Sequence, residues 1–79
     1  MALVTHFERI KKDRPTVHKT THGTYFSFIG PGDKRYFVLD TYGSEDRQFP
    51  EKVSQSIQLD EEGAAHLIRI LREEFPNLR

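Results

Sequence analysis

The sequence predicts an α+β fold: a curved antiparallel sheet of about four strands with a C-terminal helix on one face. Three observations carry this reading. Arg35 to Tyr42 and Val53 to Leu59 alternate apolar and polar residues with the two-residue period of a half-buried strand. Gly30-Pro31-Gly32-Asp33 is a strong turn signal between Thr24–Ile29 and the strand that begins at Arg35. From Asp60 onward, apolar residues recur at helical spacing until Pro76 ends the run.

Seventy-nine residues make a single domain, residues 1–79, with a sheet over 16–59, a helix over 60–75 and an ambiguous N-terminal segment at 1–15. Only 35% of the chain is hydrophobic, and the 5 glycines do not close the gap to an average globular protein. A chain of this length buries only about 60% of the surface it exposes when unfolded. It has no cysteine, so neither disulfides nor thiolate zinc sites can reinforce a thin core. Oligomerisation is the remaining device, and a homodimer is expected. No apolar run approaches the roughly 18 residues that span a bilayer, and no signal-peptide core is visible. Absence of cysteine fits a cytoplasmic location, without a membrane partner.

Formal net charge is zero, but its distribution is uneven. Residues 1–37 hold seven Lys/Arg against three Asp/Glu, a balance of +4, while residues 38–79 hold five against nine, a balance of −4. Such asymmetry points the basic half towards a polyanionic partner. An acidic helix offsetting a basic hairpin is the plainer account.

Taken in order, Met1 to Arg14 fits either a short helix, with Leu3, Phe7 and Ile10 in register, or an edge strand. Pro15 breaks it and biases Arg14 towards an extended backbone. Thr16 to His22 is polar and β-branched, as an edge strand with little burial would be. Thr24 to Ile29 is a strand, and Arg35 to Tyr42 returns as its hairpin partner. Gly43 to Lys52 is a polar loop too long for a tight turn, and Val53 to Leu59 is the last strand. Asp60 is a suitable N-cap, with Glu61 and Glu62 where the helix dipole favours negative charge. Ala64, Leu67, Ile68 and Leu71 form the expected core stripe, with Phe75 closing it.

Alternation sorts the strand side chains onto two faces. Phe26, Phe28, Phe37, Leu39, Val53, Ile57 and Leu59 are expected beneath the helix. Tyr25, Ser27, Tyr36, Val38, Asp40, Tyr42, Ser54, Ser56 and Gln58 are expected on the open side. All three tyrosines would thus share the open face. A tyrosine ring is a flat platform that tolerates water, and nucleobases stack on such rings for roughly 1–3 kcal/mol each. Lys34, Arg35, Arg47 and Lys52 lie around this platform, where they would meet phosphates. Lys11, Lys12, Arg14 and Lys19 add positive charge from the N-terminal part. The expected binding set is therefore Tyr25, Tyr36 and Tyr42 with these eight cations. The competing account is that tyrosine simply suits half-exposed sheet, or that this face packs on a second subunit.

The stretch KRYFVLDTYGSEDRQFPEKVSQSIQLDEEGAAHLIRIL, residues 34–71, resembles the positive cofactor four family of single-stranded-DNA-binding transcriptional coactivators, including its small bacterial members. The likeness lies in a strand ending in an acidic and an aromatic residue, a Lys-bearing loop, a strand of the type x-S-I-x-L, and an acidic-capped helix. It implies a four-stranded sheet that grips a nucleic-acid strand, and dimerisation through the helices. Lys34, Arg35, Tyr36, Tyr42 and Lys52 would match the family's basic and aromatic positions. Single-stranded DNA or RNA is then the expected partner, in transcription or DNA maintenance.

An enzyme is not expected. His18 and His22 share a face in a strand but lie about 13 Å apart, too far for one ion. His66 lacks a second histidine at helical spacing. There is no Gly-x-Ser-x-Gly elbow, and the glycine-rich turn lacks phosphate-loop spacing. Asp40, Glu51 and Lys52 make a weak nuclease pattern at best. No metal or other cofactor is expected. The alternative role is a small protein-interaction or regulatory subunit that recognises a protein partner through residues 43–52, with Phe49 beside Pro50.

Overall fold

The computed structural model describes residues 1–43 and 53–79. Strands β1 (Ala2–Val4), β2 (Gly23–Ile29), β3 (Arg35–Tyr42) and β4 (Val53–Leu59) precede a single helix, α1 (Glu61–Glu74). They form one four-stranded sheet in the order β1-β4-β3-β2, with α1 packed on it. The fold is α+β, as expected. The sheet is mixed rather than wholly antiparallel, because β1 runs parallel to β4 while the other pairs are antiparallel.

The fourth strand is not the expected one. Residues 16–22 form no strand, and Ala2–Val4 occupies the edge beside β4 instead. The reason is burial. Thr16 to His22 is exposed throughout and offers no apolar face to offset the entropy of ordering it. Its contacts with the sheet include Thr21, whose hydroxyl donates to the Tyr42 carbonyl at 3.1 Å, and His22, whose ring meets that of Tyr42. The N-terminus, by contrast, brings Val4 opposite Leu59. The chain then passes along α1, where the Phe7 backbone N–H donates to His66 Nδ1 at 3.1 Å and Arg9 pairs with Glu74.

The turn at residues 30–34 decides which side chains share a face. Gly32 and Asp33 both have positive φ, 73° and 58°, and the Gly30 N–H donates to the Lys34 carbonyl at 2.8 Å. Ile29 consequently pairs with Arg35, Phe28 with Tyr36 and Phe26 with Val38. Directly opposed residues share a face, so Phe26 and Phe28 lie with Tyr36 and Val38 and not with Phe37 and Leu39. Tyr25 and Ser27 lie with Leu39 and Phe37, on the other side. The β3–β4 register does place Phe37, Leu39, Ile57 and Leu59 together as expected. An irregularity between Thr41 and Tyr42 brings Val53 opposite Tyr42, away from that group.

Two hydrophobic residues are buried among the described residues, Val38 (1% exposed) and Leu59 (4%), and they belong to opposite faces. The helix starts where expected: Asp60 Oδ1 accepts from the Gly63 N–H at 2.7 Å, and Phe75 caps the other end. Its buried side differs from the expected stripe. Ala64, His66, Leu67 and Ile70 are half-buried, while Ile68 (49%) and Leu71 (37%) remain open. The exchange follows from the N-terminal segment, since Phe7 to Ile10 line a groove with His66, Leu67 and Ile70. The chain exposes 7489 Å², where a folded monomer of 9.3 kDa exposes about 5,000 Å². No described helix is long and apolar enough to cross a membrane.

Gly63 tests the seating of β1 against the helix. A methyl at this position would collide with the Val4 carbonyl oxygen. Helix propensity alone favours alanine by about 1 kcal/mol. Gly63→Ala is nevertheless expected to destabilise the protein, by about 1–3 kcal/mol, because overpacking wins. A lowered urea midpoint would show this, whereas a raised one would separate β1 from the first helical turn.

Candidate nucleic-acid interface

One face of the sheet collects Thr24, Phe26 and Phe28 from β2, Tyr36, Val38, Asp40 and Tyr42 from β3, and Ser56 and Gln58 from β4. Its rings form two groups. At the hairpin end, Phe28 stacks on Tyr36 with centroids 5.7 Å apart and planes 28° from parallel. Phe26 continues this row, 6.2 Å from Phe28. At the other end, Tyr42 stacks on His22 at 4.7 Å and only 12° from parallel. The Tyr42 hydroxyl is tied to Thr24 Oγ1 at 2.9 Å, which fixes the ring's tip. Tyr36 and Tyr42 are six residues apart in one strand, about 20 Å along it, while the Tyr42 hydroxyl reaches back to Thr24, two residues from Phe26. Between them, Ser56 donates to the half-buried carboxylate of Asp40 beside the buried Val38.

The hairpin-end group depends on Gly30. A methyl there would stand 2.7 Å from Cε2 of Tyr36, so the ring lies directly against this glycine. Gly30 has an extended backbone that any residue adopts, φ −106°, and its requirement is space alone.

The sequence-assigned residues divide among these places. Tyr36 and Tyr42 share the aromatic face. Tyr25 does not: it stacks on Phe37 at 5.6 Å on the opposite face and is 73% exposed. The expectation that all three tyrosines lie together is corrected by the β2–β3 register. Arg35 also points to that opposite side, where its guanidinium donates to Ser27 Oγ at 2.9 Å. Lys34 is exposed in the hairpin turn, and together with Arg35 it borders a cavity lined by Asp60, Glu61 and Glu62. Those carboxylates oppose any anion approaching from that side. Lys19 lies closer to the aromatic face, lining a polar cleft with His18, Thr21, Tyr42 and Ser54. Lys11, Lys12 and Arg14 are exposed in the segment between β1 and β2, and Arg14 has a positive φ of 53°. Arg47 and Lys52, and the alternative recognition loop with Phe49, lie outside the described residues.

Three rings of the aromatic face lie outside the residues that the sequence assigns to it: His22, Phe26 and Phe28. Phe26 and Phe28 were legible as strand residues, but their face depends on the number of residues in the turn. His22 precedes β2 and meets Tyr42 only through the fold. Among the described residues, no group of three or more His, Asp or Glu is placed to hold a metal ion.

Comparison with protein-family models, curated proteins and solved structures finds no match for this chain. The likeness of residues 34–71 to the positive cofactor four family therefore rests on those residues alone.

Gly30→Ala is expected to lift the Tyr36 ring from Phe28 while leaving the hairpin paired. Proton NMR would read this as a loss of the ring-current shifts of Tyr36 and Phe28, with about 1–3 kcal/mol of lost stability. Unchanged ring shifts would mean that Tyr36 does not rest on Gly30.

Proposed function

We propose that this protein binds single-stranded DNA or RNA without catalysis, in transcription or DNA maintenance, and that it does so as a homodimer. The observation that carries the reading is the row of rings Phe26, Phe28 and Tyr36 on the same sheet face as Tyr42 and His22. Base stacking needs flat apolar surfaces open on one side, and it accepts any base because every base has a π-face. Phe26 and Phe28 remain partly open to solvent, which suits that use. Lys19 beside Tyr42, and the basic residues Lys11, Lys12 and Arg14 further along the N-terminal segment, supply the attraction to phosphate. The likeness to the positive cofactor four family points the same way. The homodimer is supported by the thin core: Val38 and Leu59 are the buried hydrophobic residues among those described, and a chain of this length without cysteine has oligomerisation as its remaining reinforcement.

Asp40 shapes the ligand. Its carboxylate sits between the two ring groups, so phosphates are expected to pass along the margins of the face while bases turn inwards. A duplex keeps its bases stacked on each other and presents phosphates outwards, which makes it the poorer ligand here.

Fluorescence anisotropy with labelled single- and double-stranded oligonucleotides, repeated across a salt series, tests the proposal. The single strand is expected to bind more tightly, with log affinity falling linearly in log salt. The Tyr36→Ala/Tyr42→Ala double variant is expected to weaken binding at least about tenfold, the loss of one or two stacked bases. Absence of binding to either oligonucleotide at low salt would sink it.

A further inference from the structure

Among the described residues, no strand pairs with the outer side of β2, an edge of unusual character. It lies at the end of the order β1-β4-β3-β2, and all of Gly23–Ile29 is exposed. Natural edges are blunted by shortness, charge, proline or bulges. The opposite edge, β1, is short at 3 residues. β2 has 7 residues, no charge and no proline, and it pairs with β3 without a break in register.

The hydrogen-bond phase is fixed by the hairpin. Because the Gly30 N–H bonds to the Lys34 carbonyl, the pairs Phe28–Tyr36, Phe26–Val38 and Thr24–Asp40 are the hydrogen-bonded ones. The N–H and C=O groups of Gly23, Tyr25, Ser27 and Ile29 then point outwards, away from β3. These groups match a second copy of the same strand. Placed antiparallel about a twofold axis through Phe26, β2 sets Tyr25 against Ser27 and Gly23 against Ile29 of the other copy. Every outward group finds a partner, over the whole strand. The parity is also correct, since Phe26 meets Phe26 and Phe28 meets Thr24, all on the aromatic face.

We infer that β2 pairs with β2 of a second copy of this chain, joining two four-stranded sheets into one continuous sheet through this edge. The interface is isologous, as a twofold dimer requires. The Phe26, Phe28 and Tyr36 rows of the two chains meet at the axis, so each chain completes the aromatic face of the other. This use of the pooled face rests on the nucleic-acid reading, while the strand pairing itself does not. The surface is distinct from the open stripe of α1, Ile68, Leu71 and Phe75, through which the family likeness would pair the chains.

The chain lacks cysteine, which allows a register-specific test in the absence of nucleic acid. In the inferred pairing the two Phe26 Cα atoms are directly opposed and not hydrogen-bonded, about 4.5 Å apart, within disulfide range. Two Thr24 residues would be about 13 Å apart along the strands. Phe26→Cys is therefore expected to form a disulfide-linked dimer under mild oxidation, while Thr24→Cys is not. Analytical ultracentrifugation should find the unmodified protein dimeric. Ser27→Pro removes an outward N–H without breaking the β2–β3 ladder, and should shift it to monomer with its circular dichroism retained. The Ile68→Glu/Phe75→Glu variant should remain dimeric. A monomeric unmodified protein would overturn the inference. So would a dimer that fails to cross-link through Phe26→Cys, or one dissociated by the helix variant and not by Ser27→Pro. Oligonucleotide anisotropy is separate, so a dimer that binds no nucleic acid would leave the pairing standing and remove only the proposed function.

Discussion

The turn between β2 and β3 is the constraint on which the rest of this structure depends. Five residues, 30–34, separate the paired Ile29 and Arg35, and the left-handed backbone at Gly32 and Asp33 closes the loop at that length. Strand side chains alternate, so adding or removing one residue would send Phe26 and Phe28 to the opposite face. The stacked pairs Phe28–Tyr36 and Tyr25–Phe37 exist because of this register. Such pairs add about 0.5–1.5 kcal/mol each beyond their buried area, which matters in a sheet whose core is so thin. Gly30 belongs to the same device, since its missing side chain is where the Tyr36 ring rests.

A second set of interactions ties the two ends of the chain together. Asp60 caps α1 through the Gly63 N–H, and Gly63 in turn packs against the Val4 carbonyl. Further along, His66 accepts from Phe7 and Glu74 pairs with Arg9. These contacts give β1 its place beside β4, because a three-residue strand has too few ladder bonds to hold itself. They also explain the rotation of the helix. Its half-buried side faces the N-terminal segment as well as the sheet, which leaves Ile68 and Leu71 open.

Charge and aromatic surface are arranged separately. The helix start gathers Asp60, Glu61 and Glu62 near Lys34 and Arg35, so much of the hairpin's positive charge is met locally. Lys19 lines a cleft with Tyr42, at the His22–Tyr42 end of the aromatic face. Among the described residues, the segment before β2 holds the exposed cations Lys11, Lys12, Arg14 and Lys19. The sheet face contributes flat apolar surface with one carboxylate at its centre. Open aromatic surface and exposed basic side chains thus lie on different parts of the chain.

The elements themselves were written locally. Alternation marked β3 and β4, the Gly-Pro-Gly-Asp turn marked the hairpin, and Asp60 with Pro76 bounded the helix; each is a short-range preference readable from neighbours. The pairing of Phe37 and Leu39 with Ile57 and Leu59 followed from the same alternation. What only the tertiary structure decided were the relations between elements. The face of Phe26 and Phe28 hung on the backbone conformation of Gly32 and Asp33, which the residue types permit but do not dictate. The place of Ala2–Val4 as the fourth strand rests on burial against Leu59 and Gly63, and the meeting of His22 with Tyr42 likewise belongs to the tertiary fold. Local preference names the pieces, while register and burial, which are properties of contacts distant in sequence, choose how those pieces meet.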